Sequence, residues 1–521
     1  MSRQYWIGTA IGLALCSTAL ASCSVKDNGS SPTADVNSSS PDIDAAWTSS
    51  TEKQLREAIA AAPANGLKPD LFLKGGETGA ALTQAAVRYA SALANGYADP
   101  AKLHEVYTIP HQKIDVRPGL QQAIQKGDVK AYLASLVPQT DEYRALSQAH
   151  LQYLQLAAKG QFQPVSEGKP IKVGARDPRV AQIVTALQAA GYLNAPQAQQ
   201  PNGSPKPSQP QSAAYTPEVV AAVKKLQGDW GFKVDGIVGG DTLRALNAGP
   251  AYRARELAVA MERLRWLQRD PPKTRIDVNT AGTFLDYYRD GQHVDHRNVV
   301  AGEADKPTPQ LQAPIVRLVA KPTWTVPKGI GESELSKKSP AWLKDNGFVM
   351  KGDQYVQMSG PKNSLGLVKF DMQDDEAIYL HDTPPKALFG TPDRHSSHGC
   401  VRVENAVQFA TALADQEGIS DKFAAAMQKG SDAMASEDDA FALENAASSA
   451  STSPSDDRTF IKLPTPIPVR LLYQTVFWDG SNVQFRPDVY GWDDNIAKAL
   501  GLAEGPPTKI HQPESSEDVG P

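Results

Sequence analysis

The chain has 521 residues, of which 41% are hydrophobic and 21% charged, and its formal net charge is −5. This length is more than one hydrophobic core usually serves, so we expect about three domains. The slight excess of acidic residues gives no reason to expect a nucleic-acid partner, and we expect none.

The N-terminal segment has the pattern of a signal peptide. Arg3 precedes an apolar run over 7–20, which is too short to span a membrane comfortably. We therefore assign residues 1–22 to a signal peptide. The small residues before Cys23 resemble a bacterial lipobox, which implies a diacylated Cys23 at the mature N-terminus. Cleavage by ordinary signal peptidase near Ala21, with Cys23 a bystander, stays open.

Residues 23–44 are rich in Ser, Asp and Pro and are predicted to form a flexible, lipidated tether. The lipid would sit in the inner or the outer membrane leaflet. Ser24 follows the cysteine, and its resemblance to enterobacterial-type sorting signals favours the outer membrane. We therefore expect a periplasmic protein held at that membrane. The sequence does not indicate an oligomeric state.

Apolar residues at helical spacing predict a helical domain over 45–170. Residues 171–250 predict three more helices, with a turn at Asp235-Gly236 and a Gln-, Pro- and Ser-rich insert over 195–213 that we expect to be disordered. A further amphipathic helix over 251–272 is predicted to return to the first domain.

Alternating strands from residue 273 onwards predict an all-β domain that extends to 504. A helical and loop insertion is expected at about 328–357. Residues 415–457 hold ten acidic and two basic residues among Ala and Ser, and we expect them to be disordered. The polar tail over 505–521 is expected to be disordered as well.

The residues with the strongest chemical signal lie between His381 and Arg402. Cys400 follows Ser397-His398-Gly399 and stands nineteen positions after His381. A thiol becomes a strong nucleophile when a neighbouring imidazole accepts its proton. Backbone amides around His398, Gly399 and Cys400 could cradle an oxyanion, and a helix start just beyond would favour a thiolate. Spacing alone does not decide which of the two histidines is the base.

This segment resembles the signature of the L,D-transpeptidase (YkuD-type) catalytic domain, in which a histidine is followed after about fifteen residues by [Ser/Thr]-His-Gly-Cys. The family usually has Asn two positions after the cysteine, whereas this chain has Arg402, as do the large scaffold-bearing members from Gram-negative bacteria. Residues 66–70 and 132–138 are similar to their scaffold domain, and 171–250 resemble a peptidoglycan-binding module.

The resemblance implies a multidomain protein: an all-β, YkuD-like β-sandwich catalytic domain with a helical cap insertion, a helical scaffold and a three-helix peptidoglycan-binding domain. It assigns Cys400 as nucleophile and His381 as base. In our interpretation His398, Gly399 and Ser397 shape the oxyanion site. The remaining candidates are Asp382 to orient the imidazole, and Arg402 and Tyr379 to contact substrate.

The implied reaction joins peptidoglycan stem peptides by 3→3 cross-links through a cysteine thioester, with release of D-alanine. Transfer of the acyl group to water, a D-amino acid or a protein amine stays open, and so does a non-catalytic cell-wall tether. We expect no cofactor and no metal, because there is no glycine-rich phosphate loop and no metal-ligand spacing. His293 and His296 are predicted to lie in a turn without the partners of a zinc site.

Overall fold

The computed structural model describes residues 47–111, 113–194, 214–428 and 458–503. Several predicted segments therefore lie outside the described residues: the signal peptide, Cys23 and the tether, the insert over 195–213, the acidic segment from 429 onwards and the tail. Within the described ranges, no helix combines the length and the apolar character needed to cross a membrane.

The scaffold is built from short amphipathic helices that share one core. They are α1 (Ser49–Ala60), α2 (Gly79–Asn95), α3 (Pro100–Leu103), α4 (Arg117–Lys126), α5 (Val129–Ser135) and α6 (Asp141–Ala158). Thr140 caps the start of α6 by accepting from the amide of Tyr143. Gly66 has φ of +65°, and a Cβ there would lie 2.8 Å from the backbone of Ala258. Only glycine allows both this turn and this close approach.

A long buried helix, α10 (Gly249–Trp266), connects the parts of the molecule. It packs against α6 and α2 of the scaffold and against the last described helix, α15 (Asp493–Ala499). Ile496 and Leu500 are buried in the scaffold core, with Trp266 of α10. The end of the segment assigned above to the catalytic domain therefore contributes to the scaffold.

Within the described residues, the next unit has three helices: α7 (Val180–Ala189), α8 (Pro217–Asp229) and α9 (Gly240–Asn247). Gln227 fixes the predicted turn, because its side chain accepts from the amide of Gly236 and donates to Asp235 and Ile237. The core of this unit continues into Leu257 of α10.

The catalytic domain has a main sheet of nine strands: β1 (Arg275–Asn279), β2 (Phe284–Arg289), β3 (Gln292–Gly302), β4 (Gln312–Ala320), β8 (Val368–Met372), β9 (Leu380–His381), β10 (His395–Ser397), β11 (Val401–Val403) and β12 (Thr459–Leu472). Their order is β10-β3-β11-β9-β8-β4-β12-β1-β2, and β2 also pairs with β3. Eight strands therefore form a closed ring of pairings, and β10 pairs with β3 outside this ring. The family resemblance had implied a β-sandwich. Closure leaves these eight strands without an open sheet edge.

The insertion predicted at 328–357 is part helix and part sheet. It contains α11 (Lys328–Ser333), α12 (Pro340–Asp345), β6 (Phe348–Lys351) and β7 (Gln354–Gln357), and β7 pairs with β5 (Trp324–Thr325). Trp324, Leu335 and Phe348 form a separate small core. We call this unit, residues 324–357, the cap.

The acidic segment is not disordered where it is described. After α13 (Ala406–Gln416), the chain forms α14 (Ser420–Gln428), whose Phe423 and Ala426 are buried in the core of the catalytic domain. The abundance of charge over 415–457 concealed this short apolar face. A two-stranded hairpin, β13 (Val476–Trp478) and β14 (Val483–Phe485), follows the main sheet. Phe485 stacks on Trp230, with ring centroids 5.7 Å apart, and so joins the hairpin to α8 and its turn.

Candidate active site

The parallel strands β9 and β11 bring the two halves of the motif together. Arg402 is the Cα partner of His381, Val401 is the partner of Leu380, and the Val401 amide donates to the Tyr379 carbonyl at 3.1 Å. Because side chains alternate along strands, Tyr379 and His381 share the face opposite to Leu380. Cys400 stands at the start of β11 beside Tyr379.

Cys400 is 6% exposed and borders the hydrophobic core. Its Sγ lies 3.9 Å from the carbonyl oxygen of Ala377. Burial raises the pKa of the thiol to about 11, although hydrogen bonds with the backbone and the hydroxyl of Tyr379 act in the opposite direction. The thiol is therefore protonated at neutral pH, and attack on a carbonyl requires a base to remove its proton.

His381 is fully buried, and the orientation of its ring is fixed. Nδ1 hydrogen-bonds to the backbone carbonyl of Asp382, and a carbonyl can only accept, so Nδ1 carries the hydrogen. Burial, with the positive charge of Arg402 adding to it, holds the pKa of His381 well below its ordinary value. The ring is therefore neutral. Its Nε2 is buried and has no hydrogen-bond partner among the described residues.

The sequence suggested that Asp382 orients the imidazole of His381. In the structure, the carboxylate of Asp382 does not do so. Its Oδ2 accepts from the amide of Leu367 at 3.0 Å, and its Oδ1 pairs with Lys386. Gly366 lies so close to this carboxylate that a Cβ would meet Oδ2 at 2.4 Å. The side chain of Asp382 thus anchors two loops, and only its backbone carbonyl contacts His381.

His398 points to the cap and not along the sheet. Its Nε2 lies 2.6 Å from Oε1 of Glu334, which follows α11 directly. The same carboxylate oxygen lies 3.5 Å from the amine of Lys306. The structure therefore distinguishes the surroundings of the two histidines, which their spacing in the sequence could not do. The side chain of His381 lies beside Tyr379, whereas that of His398 contacts Glu334 of the cap.

The turn before Cys400 is held by hydroxyl groups. Ser397 is buried, its Oγ donates to the Cys400 carbonyl, and it accepts from the Gly399 amide at 3.3 Å. The Gly399 amide is therefore already engaged and is not a free oxyanion donor. Gly399 has φ of +114°, a conformation that favours glycine. Its carbonyl accepts from Thr308 Oγ1 at 2.8 Å.

The helix start expected just after the cysteine lies farther away. The strand β11 intervenes, and α13 begins only at Ala406. The field of a helix end is appreciable only within its first turn, so this helix is not a source of thiolate stabilisation.

Arg402 and Tyr379 lie beside His381 and Cys400. Arg402 is buried, and its charge lowers the pKa of His381. Tyr379 is half-buried, with its ring centroid 5.7 Å from that of His381. Lys369 is the Cα partner of His381 on β8, and its amine lies 4.0 Å from the centroid of the Tyr379 ring.

Three contributors escaped the sequence analysis: Thr308, Glu334 and Lys369. Thr308 and Glu334 lie far from the motif in sequence and carry no local signal. Lys369 could have been found, since it is a charged residue inside the apolar strand that leads towards His381.

A cavity of about 550 Å³ lies next to these residues. It is lined by Asp382, Thr383, Lys386, Leu367 and residues 405–408, among others. Neither Cys400 nor His381 lines it, so this cavity is separate from the thiol. Cys400 and His381 are both buried, so the described conformation shields them from solvent.

The prediction that His293 and His296 lie in a turn is wrong. Both lie on β3 and contact Asp286 of β2.

Comparison with known proteins identifies the class. Residues 273–420 match the model of the L,D-transpeptidase catalytic domain (YkuD), residues 40–149 match the scaffold domain, and residues 176–246 match a provisional peptidoglycan binding domain. Residues 273–420 are therefore similar to YkuD-type L,D-transpeptidase catalytic domains, and the chain also carries regions similar to scaffold and peptidoglycan-binding domains.

A Haemophilus influenzae protein provisionally named an L,D-transpeptidase is 26% identical over 244 residues, which cover 42% of this chain and 45% of that protein. The chain thus spans less than half the length of this relative. Solved L,D-transpeptidases of Enterococcus faecium and Mycobacterium smegmatis are 15% and 13% identical, with TM-scores of 0.18 and 0.19. Each match covers 27% of this chain, and 44% and 52% of those chains.

Proposed function

We propose that this chain forms 3→3 cross-links in peptidoglycan through a thioester on Cys400. The observation that carries the proposal is the neutral His381 ring, whose Nδ1 is hydrogen-bonded while its Nε2 is a buried acceptor without a partner among the described residues. His381 lies on β9, which pairs with β11, and β11 begins directly after Cys400. A neutral imidazole near a protonated thiol can serve as the general base that removes the thiol proton.

In the first half-reaction, Sγ of Cys400 attacks the carbonyl carbon of the third stem residue, at the L-centre of a diaminopimelate. The thiol proton passes to Nε2 of His381. The C–N bond to D-alanine then breaks, and the same proton goes to the departing amine. The product is a thioester and free D-alanine. The Asp382 carbonyl keeps the Nδ1 hydrogen in place while the ring is positively charged.

In the second half-reaction, the side-chain amine of another stem attacks the thioester carbonyl. Its proton passes to Nε2 of His381, the C–S bond breaks, and the sulfur takes the proton back. Among the turn amides, that of Cys400 is our candidate oxyanion donor, because the Gly399 amide is bound to Ser397. Loss of one such donor costs about 3 kcal/mol in comparable sites.

The buried thiol supports a further step, opening of the cap before the donor stem binds. The contact of Glu334 with His398 ties the cap to the catalytic turn. Because Arg402 is buried, we favour a role in keeping His381 neutral. Arg402 could contact a substrate carboxylate only after the cap has opened.

Three other acceptors remain for the same thioester: water, which would give an L,D-carboxypeptidase; a D-amino acid, which would give exchange; and a protein amine. A non-catalytic wall tether is the alternative of another class. The oriented His381 near Cys400 argues against the tether, because a non-catalytic domain does not need an imidazole held on the strand next to a thiol.

For localisation we propose the periplasm, with a lipid on Cys23 at the outer membrane. The support is the sequence pattern at residues 1–23, together with a substrate that lies outside the cytoplasm.

The test is muropeptide analysis by mass spectrometry after incubation of purified enzyme with tetrapeptide-containing wall fragments. Wild type should release D-alanine and form 3→3 dimers, and Cys400→Ala should do neither. Addition of D-amino acid distinguishes exchange from cross-linking. Equal products from wild type and Cys400→Ala would refute the assignment.

A further inference from the structure

Three side chains of the β2–β3 hairpin meet at a single point on the surface of the catalytic domain. His293 Nε2 lies 2.8 Å and His296 Nδ1 lies 2.7 Å from the same oxygen, Oδ1 of Asp286. The three ligand atoms all lie within 4.8 Å of one another. We propose that Asp286, His293 and His296 form a binding site for a divalent transition-metal ion, with Zn²⁺ as the best match.

A β-bulge creates this convergence. Asp286 and His296 are direct cross-strand partners, so they share a face. His293 stands three positions before His296, and strict alternation would place it on the opposite face. The register shifts between Tyr287, which pairs with Asp295, and Tyr288, which pairs with His293. Val294 is the extra residue, and it turns His293 to the side of the other two. Bulges commonly re-aim a side chain in this way.

The donor set fits a borderline metal. Two imidazole nitrogens and one carboxylate oxygen are typical ligands of Zn²⁺, and a fourth position would stay open for water. Harder ions such as Mg²⁺ and Ca²⁺ prefer oxygen ligands, so they fit this set poorly. Without a metal, both imidazoles share one carboxylate oxygen. A cation would replace the two hydrogens that point to that oxygen.

The site is open to solvent and its rings are supported. The side chains of His293 and His296 are 48% and 57% exposed, and that of Asp286 is 20% exposed. The ring of Phe284 lies 5.4 Å from that of His296, and the ring of Tyr288 lies 5.4 Å from that of His293. An ion could therefore enter without a rearrangement of the sheet.

This site is distinct from the thiol. Val300 of β3 is the Cα partner of Arg402, which lies two residues after Cys400. His296 lies four residues before Val300 on β3, and four residues of extended strand span about 13 Å. The hairpin of β2 and β3 makes the pairing that closes the strand ring. A bound ion would thus hold β2 and β3 together where the strand ring closes, and it would stabilise the fold by an amount that rises with the logarithm of the free ion concentration.

The test is zinc binding by the full chain, free of affinity tags and stripped with chelator. A Cys400→Ala background removes the thiol as a competing ligand. Isothermal titration with Zn²⁺ should show one ion per chain and a melting temperature that rises with zinc. The double variant His293→Asn/His296→Asn and the single variant Asp286→Asn should lose this binding. His111→Asn, a histidine remote from the cluster, is the matched control and should bind normally.

A second readout is independent of stability. Cu²⁺ bound to the same protein should show hyperfine coupling to two imidazole nitrogens by electron paramagnetic resonance, and the double variant should not. The proposal is overturned if zinc binding is absent from the parent, or if the parent and the double variant bind zinc with equal affinity and stoichiometry. If the parent does not bind zinc, Asp286, His293 and His296 form only a hydrogen-bonded cluster at the surface.

Discussion

His381 directs its Nδ1 hydrogen to the backbone carbonyl of the next residue, Asp382, and not to a carboxylate. A carbonyl fixes the tautomer as a carboxylate does, but it adds no negative charge that would favour the imidazolium. With burial and Arg402 acting in the same direction, the ring stays neutral and Nε2 stays available. The site therefore rests as a thiol and a neutral imidazole, not as a preformed ion pair.

Glu334→Gln should expose the thiol. The substitution keeps the size of the side chain but removes the charge that faces His398 at 2.6 Å, and a charged hydrogen bond is worth more than a neutral one. We expect alkylation of Cys400 by iodoacetamide to become several-fold faster. Glu332→Gln in the preceding helix α11, with its exposed carboxylate, is the control. Equal rates for both variants would mean that this contact does not hold the cap closed.

Thr308→Val should loosen the catalytic turn. The Thr308 hydroxyl donates to the Gly399 carbonyl and accepts from the Gly302 amide at 2.9 Å. Valine has the same shape and leaves both groups buried without partners, at a cost of roughly 1–3 kcal/mol for each. We expect a lower free energy of unfolding in urea and slower acylation. Thr308→Ser keeps the hydroxyl and should behave like wild type; a stable, fully active valine variant would contradict the assignment.

His104 should contribute to acid unfolding. Its ring is buried, stacked on that of Tyr107 and edge-on to that of Trp492. Burial lowers its pKa from 6.5 to about 3. Between these values the unfolded chain binds more protons than the folded one, so this contribution is fully present above pH 6.5 and is lost as the pH falls.

The predicted loss from His104 is on the order of 3 kcal/mol by pH 4. His104→Phe keeps the ring packing and cannot be protonated. Urea unfolding at about pH 7 and about pH 4 should therefore show a smaller loss of stability in the variant than in wild type. The same loss in both proteins would mean that His104 is not the group responsible.

Asp493→Asn should destabilise the joint between α10 and α15. Arg263 and Asp493 lie 2.5 Å apart, and both side chains are almost fully buried. Removing one partner leaves an unpaired buried charge, which costs roughly 3–5 kcal/mol. The double variant Arg263→Met/Asp493→Asn removes both charges and should recover much of the loss. Additive effects of the two substitutions in thermal unfolding would show that the pair is not coupled.

The candidate site could be predicted from the sequence because its signal is local. The Ser-His-Gly-Cys motif and the alternation before His381 stand in two short stretches, and the structure places those stretches on adjacent parallel strands. The scaffold helices were predictable for the same reason, because apolar spacing is visible within a few turns. The position of the insertion at 328–357 was predicted, but its strands were not.

The contacts that decide chemistry were not predictable, because they join distant parts of the chain. Glu334 meets His398 across 64 residues, and Thr308 meets Gly399 across 91. The Asp286 cluster depends on a single extra residue in β3, and a bulge changes which face a side chain occupies without a clear mark in the sequence. The apolar face of α14 was hidden by surrounding charge.

The central claim is that Cys400 is acylated with His381, not His398, as its base. The most direct measurement is the rate of acyl-enzyme formation with a carbapenem-type lactam, followed by intact-protein mass spectrometry and peptide mapping. We expect an adduct on Cys400 in wild type and none in Cys400→Ala. His381→Gln should acylate at least a hundredfold more slowly, in line with the loss of a general base, whereas His398→Gln should retain most of the wild-type rate. A fast His381→Gln variant beside an inactive His398→Gln variant would contradict this account.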